Sequence, residues 1–276
     1  MKFFVSKNRE NRSDLKYSPA YSLRLLLSTI VGAAAFLPQN STAQNLDSAD
    51  AFAALANQAI TFSGTGNLVN GDLGVTPGTS ITGSFTQNGS IYTGQDAPAV
   101  NAMDDATTAY NDILGESPST NMSSGELGGL TLTNGIYSFN QNAGGAADLA
   151  GTLTLSGSGA FVFQMNTTFT SGANASIVLE NGAQASDVFW QIGSSATFGA
   201  GSLLQGNFLA YTSITAGAGS ENNGSLIALG AALTLDGSNL MTAVPEPSTY
   251  ALFCMGVLAT GYASRRRRTW SEILAI

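Results

Sequence analysis

Between residues 44 and 244 the sequence contains no lysine, arginine, histidine or cysteine. All ten basic residues lie outside this span, within the first 24 residues and at Arg265 to Arg268. The span retains 14 of the 18 acidic residues with no cation to offset them, so its formal net charge is about −14. The only cysteine, Cys254, lies in an apolar segment near the C-terminus, so no disulfide bond can stabilise the fold.

These absences exclude several classes of function. Nucleic-acid binding requires cations opposite the phosphates, so no nucleic-acid partner is expected. Serine-histidine and cysteine-histidine catalysis need residue types that the span lacks, and zinc sites need cysteine or histidine in nearly every case. Only carboxylate chemistry remains, either a glycosidase pair or a calcium site.

The acidic residues do not form a pattern typical of either carboxylate site. They are scattered over predicted turns, without calcium-loop spacing: Asp72, Asp148, Glu180, Asp187 and Asp236. Asp104 and Asp105 are adjacent, but consecutive positions on a helix diverge by about 100°. We therefore predict a protein that is not an enzyme and that uses no cofactor and no metal. A polysaccharide-cleaving β-helix enzyme is the weakest alternative, because such enzymes use basic residues that this span lacks.

A short pattern recurs along the chain. TTFT at 167–170, SSAT at 194–197, TSIT at 212–215 and AALT at 231–234 align at steps of 27, 18 and 19 residues, and weaker copies are QAIT at 58–61, TSIT at 79–82 and GTLT at 151–154. The residues before each tetrad also align, with Phe163, Trp190, Phe208 and Ile227 in one column and Met165, Ile192, Ala210 and Leu229 in another. Short β-segments and glycine turns that repeat at about 20 residues indicate a β-solenoid.

The tetrads also predict which side chains face outward. The third position is apolar in Phe169, Ala196, Ile214 and Leu233, so it should point into the core. Because side chains alternate along a strand, the second and fourth positions should point outward together. Stacked coils would then present an uncharged grid of hydroxyl groups, spaced about 4.7–4.9 Å between coils and about 6.5–7 Å along each strand.

Outside the repeats, one segment has helical spacing. Residues 97–114 place apolar side chains at Val100, Met103, Ala106 and Tyr110, with Pro98 in the first turn and a glycine at the end. Elsewhere, residues 71–78 are interpreted as a glycine-rich turn between two coils, and 130–139 as a strand pair turned at Asn134-Gly135. The inward aromatic residues, including Trp190, are interpreted as core.

Both ends of the chain carry predicted targeting segments. Residues 1–43 combine a basic region, the apolar run LLLSTIVGAAAFL at 25–37 and Ser41-Thr42-Ala43, which predicts a secretory signal that signal peptidase cleaves after Ala43. At the other end, VPEPS at 244–248 precedes an apolar segment at 250–263 and the four arginines. This tail resembles a PEP-CTERM sorting signal at 244–268, with Pro245, Glu246 and Pro247 as the motif and a short extension at 269–276.

That resemblance implies export from a Gram-negative, exopolysaccharide-producing bacterium. It also implies that the C-terminal segment contacts the inner membrane transiently, and that an exosortase removes the tail. The extension at 269–276 departs from the usual pattern of the motif.

The span at 44–243 resembles the microbial ice-binding protein family over residues 51–242. The resemblance is carried by GDLGVTPGTSITG at 71–83, AYND at 109–112, LTNGIYSF at 132–139, FLAYTSITAGAGS at 208–220 and LIALGAALTLD at 226–236. It implies a mainly β fold, namely a right-handed β-helix of triangular cross-section with one long α-helix packed alongside. It also implies that the N-terminal coil can stack beside the C-terminal coil.

In that family the ice-binding face carries a Thr-(Ala/Gly)-x-(Thr/Asn) motif. The tetrads at 79–82, 167–170 and 212–215 match it in form, 194–197 departs by beginning with serine, and 231–234 and 58–61 depart further. The predicted ice-binding residues are Thr79, Thr82, Thr167, Thr168, Thr170, Ser194, Ser195, Thr197, Thr212, Ser213, Thr215 and Thr234.

The predicted function is a secreted, monomeric ice-binding or antifreeze-type protein whose partner is the ice surface. The alternative is a non-enzymatic structural protein of the extracellular matrix that associates with polysaccharide. An ordinary β-solenoid surface, on which the threonine ladders have no binding role, also remains an alternative, because threonine is favoured in strands in any case.

Overall fold

The computed structural model describes residues 44–140, 143–237 and 239–244. The predicted signal at 1–43 and the sorting tail, including Pro245, Glu246 and Pro247, lie outside the described residues. Within the described ranges the chain is mainly β, as predicted, with 22 strands, one α-helix and 3-10 helices at Asp47–Ala51 and Ala185–Asp187. None of the helices in these ranges is long and apolar enough to cross a membrane.

The N-terminal part of the chain contains five strands, the helix and two further short strands. These are β1 (Phe52–Ala56), β2 (Ala59–Asn70), β3 (Asp72–Val75), β4 (Ser80–Asn88), β5 (Ile91–Thr93), α1 (Ala97–Gly115), β6 (Thr120–Asn121) and β7 (Thr131–Leu132).

The remaining fifteen strands form five successive coils of three strands each. They are β8 (Gly135–Ser138), β9 (Ala147–Leu149) and β10 (Thr152–Ser156); β11 (Phe161–Met165), β12 (Phe169–Ser171) and β13 (Ser176–Glu180); β14 (Val188–Ile192), β15 (Ala196–Phe198) and β16 (Leu203–Gln205); β17 (Asn207–Ala210), β18 (Ile214–Ala216) and β19 (Glu221–Asn223); β20 (Leu226–Ala228), β21 (Leu233–Asp236) and β22 (Leu240–Thr242).

Each coil passes through three faces in turn, so the strands wind into a β-helix. Face A is a nine-stranded sheet in the order β5-β3-β1-β20-β17-β14-β11-β8-β6. The other sheet contains face B (β9, β12, β15, β18, β21 and the first halves of β2 and β4) and face C (β7, β10, β13, β16, β19, β22 and the second halves of β2 and β4). Strands β2 and β4 run through both faces, with a register irregularity between Phe62 and Asn67.

The coils do not stack in sequence order. The N-terminal strand β1 pairs with β20, and β2 pairs with β21 and β22, so the first coil lies directly on the last one. The coil of β3 and β4 then covers the first coil, and β5 pairs with β3 at that end of the stack. This arrangement confirms the order that the family resemblance implied.

The predicted helix is present and packs on face A. Its apolar stripe, which includes Ala102, Ala106 and Ile113, is buried against outward side chains of face A such as Phe189 and Leu209. Gln164 fixes the C-terminal end of the helix, because its side-chain Nε2 donates hydrogen bonds to the backbone oxygens of Ile113 (2.6 Å) and Glu116 (2.9 Å). The helix therefore covers face A of the solenoid.

Inside the solenoid the inward aromatic side chains stack from coil to coil, as predicted. The ring centroid of Trp190 lies 4.0 Å from that of Phe163 and 5.3 Å from that of Phe208, and the rings of both pairs are nearly parallel. Phe161, Phe169 and Phe198 belong to the same buried core. Trp190 is fully buried and donates its indole N–H to the Gln205 carbonyl, so it fills the core and offers no platform to a ligand.

Three sequence interpretations are wrong in detail. The segment 130–139 is not a hairpin, because β7 pairs with β10 on face C while β8 pairs with β11 and β6 on face A, all in parallel. The predicted turn at 71–78 contains strand β3. Phe208 pairs with Leu226 rather than Ile227, and Ala210 pairs with Ala228 rather than Leu229.

The misalignment of Ile227 and Leu229 with the columns of face A has a simple cause. One more residue separates face A from the threonine of face B in the last coil than in the preceding ones, so counting back from Thr234 shifts the alignment by one position. Ile227 consequently points away from the core and packs with the residues beneath the helix.

Candidate functional site

Face B carries one continuous column of threonines. In spatial order, the register partners are Thr170, Thr197, Thr215, Thr234, Thr61 and Thr82. Thr170, Thr197, Thr215 and Thr82 are exposed, and Thr234 and Thr61 are partly exposed. Six coils therefore contribute an outward hydroxyl and methyl group to the same line.

The column faces outward because the residues before it fill the core. Phe169, Ala196, Ile214, Leu233 and Ile60 are at most 1% exposed and pair with one another in the same register. The alternation of side chains along each short strand then directs the threonines to solvent. This confirms the inward and outward assignment that the tetrads predicted.

A second outward column runs beside the threonines and consists of small side chains. Thr168 and Ser80 are exposed, whereas Ser195, Ser213, Ala232 and Ala59 are partly exposed. The hydroxyl oxygens of Ser195 and Ser213 lie 3.0 Å apart and share a hydrogen bond. Neighbouring coils are thus held in register on the surface as well as through their backbones.

The first positions of the tetrads lie in the corner before each strand. Backbone bonds connect Thr167, Ser194 and Thr212 in succession: the Ser194 amide donates to the Thr167 carbonyl (2.7 Å), and the Thr212 amide donates to the Ser194 carbonyl (2.8 Å). Thr79 precedes β4 at the end of the stack and is exposed. All twelve predicted residues therefore lie on face B or in the corner that leads to it.

Glycines form one margin of this face where coils approach closely. A Cβ atom on Gly199 would lie 2.3 Å from the carbonyl carbon of Gly172 in the next coil, which is too close for any side chain. At Gly199, therefore, no side chain projects from this margin.

Charged residues occur on this part of the described chain only at its borders. Asp148 pairs with Thr170 and ends the threonine column at one side of the stack. Asp236, paired with Ser63, lies two positions beyond Thr234 at the glycine margin. Among the described residues no group of three or more side chains of the metal-binding types is arranged to hold a metal ion.

The sequence missed some members of the face and misplaced one weak repeat. Thr61 and Ser80 complete the two columns, and the tetrads at 58–61 and 79–82 could have identified them from the sequence. Asp148 could have been identified in the same way, since Gly145-Ala146-Ala147-Asp148 has the form of a tetrad that ends in aspartate. Thr154, by contrast, pairs with Thr131 and Val178 on face C, so the copy at 151–154 does not belong to this face.

One face of this β-helix is covered by α1, and another carries hydroxyl groups in register from coil to coil, so the protein is a solenoid that presents a regular surface. Comparison with known proteins is consistent with this class. Residues 54–241 match the family described as ice-binding-like, and residues 243–268 match the PEP-CTERM protein-sorting motif. The chain belongs to the ice-binding-like family and carries the sorting motif.

Individual relatives agree over the same span. An ice-binding protein from Nostoc sp. (strain HG1) is 39% identical over 240 residues, which cover 80% of this chain and 87% of that protein. Ice-binding protein 1 of Shewanella frigidimarina is 34% identical over 75% of this chain but only 27% of its own length.

Among solved structures, the ice-binding protein of the Antarctic ascomycete Antarctomyces psychrotrophicus is 38% identical. It superposes with a TM-score of 0.67 over 74% of this chain and 99% of its own. A domain of the Shewanella frigidimarina protein superposes with a TM-score of 0.67 at 30% identity, over 74% of this chain and 99% of that domain.

Proposed function

We propose that this protein binds ice through face B and thereby inhibits ice growth or recrystallisation. The observation that carries the proposal is the unbroken threonine column from Thr170 to Thr82. It lies on a face whose charged residues are confined to the borders, in a chain whose relatives are named ice-binding proteins.

The chemistry of the face suits a periodic, uncharged target. Threonine is β-branched and stiff about χ1, so it loses little conformational entropy on adsorption. Its hydroxyl anchors water while its methyl group orders the neighbouring hydration shell. Because the backbone ladders fix the spacing in advance, binding requires little reorganisation of the protein.

The proposal assigns the protein a non-enzymatic role, without cofactor, metal or nucleic-acid partner. The carboxylates that border face B, Asp148 and Asp236, lie at different margins of the face and do not form an acid–base pair. We propose that the protein acts as a monomer, because one copy already carries a complete face.

We further propose that the protein is exported from a Gram-negative cell. Signal peptidase would cleave after Ala43, the C-terminal segment would contact the inner membrane transiently, and an exosortase would remove the tail. The match of residues 243–268 to the PEP-CTERM motif supports this route.

The test uses purified residues 44–244. This span should fold alone, because the Antarctomyces structure is matched over 99% of its length and so consists of the same domain. Ice crystals grown in its presence should become faceted and show a gap between melting and freezing. Retention on exopolysaccharide with neither effect would favour the alternative role of a structural matrix protein.

A further inference from the structure

Only two residues separate the last strand from the sorting motif. Strand β22 ends at Thr242, and Ala243 and Val244 connect it to Pro245. The amide of Ala243 still donates a 2.9 Å hydrogen bond to the Asn70 carbonyl of the neighbouring coil. The fold therefore fixes the point at which the sorting tail begins.

That point is the corner between faces C and A. In the neighbouring coils a glycine occupies the position of Ala243 and leads the chain from face C onto face A, as shown by Gly206, Gly224, Gly71 and Gly89. The φ angle is +106° at Gly206 and +139° at Gly224, whereas Ala243 does not have a positive φ. The last coil thus lacks the glycine turn that the others use to reach face A.

The strand positions beside the last coil are also occupied. On face A, β20 lies between β17 and β1, and Ala54 of β1 is the register partner of Leu226. On face C, β22 lies between β19 and β2. Because described strands fill both sides of the last coil on these two faces, the chain after Val244 leaves the solenoid at the corner.

This corner lies opposite face B. Each coil passes through faces A, B and C in turn, so the corner between C and A is the one that does not border face B. The apolar segment at 250–263 begins six residues after Val244. Even a fully extended chain would therefore hold this corner within about 20–22 Å of that segment.

Charge does not favour another orientation on a membrane. Attraction of a protein surface to anionic lipid requires clustered lysine or arginine side chains. Residues 44–244 contain neither, and the span carries a formal net charge of about −14. The attachment point of the tail is thus the feature that decides which side of the domain lies nearest to the membrane.

We propose that the sorting tail orients the protein, so that face B points away from the membrane and binds ice while the tail is still attached. This inference rests on the proposed ice binding by face B and on the proposed export through the sorting motif. Removal of the tail then releases a domain that is already active, and it does not uncover the ice-binding face.

The orientation can be measured without ice. In residues 44–276 the only cysteine is Cys254, so Cys254→Ser allows one fluorophore to be placed on a single new cysteine. Asn88→Cys places it at the corner between faces C and A, and Thr197→Cys places it on face B, where both native side chains are exposed. The chain is inserted into phosphatidylethanolamine and phosphatidylglycerol vesicles that carry an acceptor dye on their headgroups. Energy transfer to the dye should be higher from position 88 than from position 197.

The activity is measured on the same vesicles without fluorophores. When ice is grown slowly through the suspension, vesicles that carry residues 44–276 should be concentrated in the ice. As the matched control, Ala200→Cys in residues 44–244 is coupled to a maleimide lipid, which attaches the vesicle at the corner between faces B and C. These vesicles should be excluded from ice, whereas the uncoupled Ala200→Cys protein should shape ice as the unsubstituted span does, because Ala200 is exposed and lies outside the threonine and small-residue columns.

The possible failures are distinguishable. Equal or reversed energy transfer from positions 88 and 197, or a chain that does not remain with the vesicles, would overturn the proposed orientation. If the free span 44–244 shapes ice but the vesicles that carry residues 44–276 are excluded from it, the tail masks face B and the inference is wrong. If the free span does not shape ice, the proposed function itself fails, and with it the activity of the attached protein.

Discussion

Thr197 and Thr215 are register partners on adjacent parallel strands, and both side chains are exposed to solvent. The residues directly before them, Ala196 and Ile214, are also partners and are fully buried. This two-residue relationship repeats along face B and generates its threonine column, so it provides the most direct tests of the proposed function.

Replacing either central threonine with a bulky side chain should abolish most of the ice activity. Thr197→Tyr or Thr215→Tyr would project a ring from the middle of a flat face and keep ice away from the neighbouring coils. The backbone ladder should be unaffected, because both positions point outward. Thermal hysteresis measures the activity, and circular dichroism checks the fold. Thr154→Tyr on face C is the matched control and should remain active, whereas equal losses for all three variants would contradict the assignment of the face.

A charge placed one residue earlier should act on the fold instead. Ile214→Asp would bury an unpaired carboxylate in the core and should destabilise the domain by about 3–5 kcal/mol. Ile214→Val removes only one methylene group and should cost about 0.5–1.5 kcal/mol. Urea unfolding of the two variants gives the difference. Similar stabilities for the two would mean that Ile214 does not face the core.

The aspartate at the end of the threonine column should limit the useful area of face B. Asp148→Thr would remove the charge and extend the column by one coil, since Asp148 pairs with Thr170. We expect hysteresis to rise at constant protein concentration, by less than the loss that a central tyrosine causes. Asp104→Asn, which removes a charge from the helix instead, should have no effect. A fall in activity for Asp148→Thr would indicate that the carboxylate contributes to binding.

The aromatic stack predicts graded losses of stability at Trp190. Trp190→Ala would leave a cavity between Phe163 and Phe208 and should cost about 3–5 kcal/mol. Trp190→Phe keeps a stacked ring but removes the donor to the Gln205 carbonyl (3.0 Å), which should cost about 1–3 kcal/mol. Neither variant should alter ice shaping while the protein stays folded. Selective loss of polysaccharide retention in Trp190→Phe would contradict a purely structural role for this residue.

The carboxyl group of Asp187 should make the folded domain less stable as the pH rises. Burial raises the pKa of the Asp187 carboxyl, and the adjacent Ser186 partly opposes this shift. The folded state therefore disfavours the charged form, and the resulting penalty is full above the raised pKa and absent below the ordinary pKa of about 3.9. Asp187→Asn should thus raise the Tm at pH 7 and lose this advantage near pH 3. An advantage that is the same at both pH values would show that titration of Asp187 is not its cause.

Much of the fold could be predicted from local patterns. The alternation within each tetrad identifies Phe169, Ala196, Ile214 and Leu233 as inward and the following threonines as outward. Helical spacing and terminal signals located α1 to within one residue at its C-terminus. These predictions succeed because burial and backbone geometry act over a few residues, and the sequence records them directly.

Predictions that depended on the path of the chain between strands were less accurate. Asn134-Gly135 has the composition of a hairpin turn, yet it forms the corner between face C and face A, and the strands on either side of it pair in parallel with other coils. A single additional residue before Thr234 moved Ile227 out of the core column. Turn residues such as asparagine and glycine favour a change in the direction of the chain. The angle of that change depends on which sheet the flanking strands can join.

The sequence by itself determined the chemistry of the surface, namely short strands that expose hydroxyl groups in a span without side-chain cations. Only the tertiary structure decided which coils are neighbours. It placed Thr61 beside Thr234, which is far from it along the chain, and it placed Asp148 at the opposite end of the column from Thr82. The physical reason is that backbone hydrogen bonds join the coils, and these bonds are alike for every residue type except proline. Side-chain patterns therefore specify the inside and the outside of each strand, whereas the order of the stack follows from the packing of the whole core.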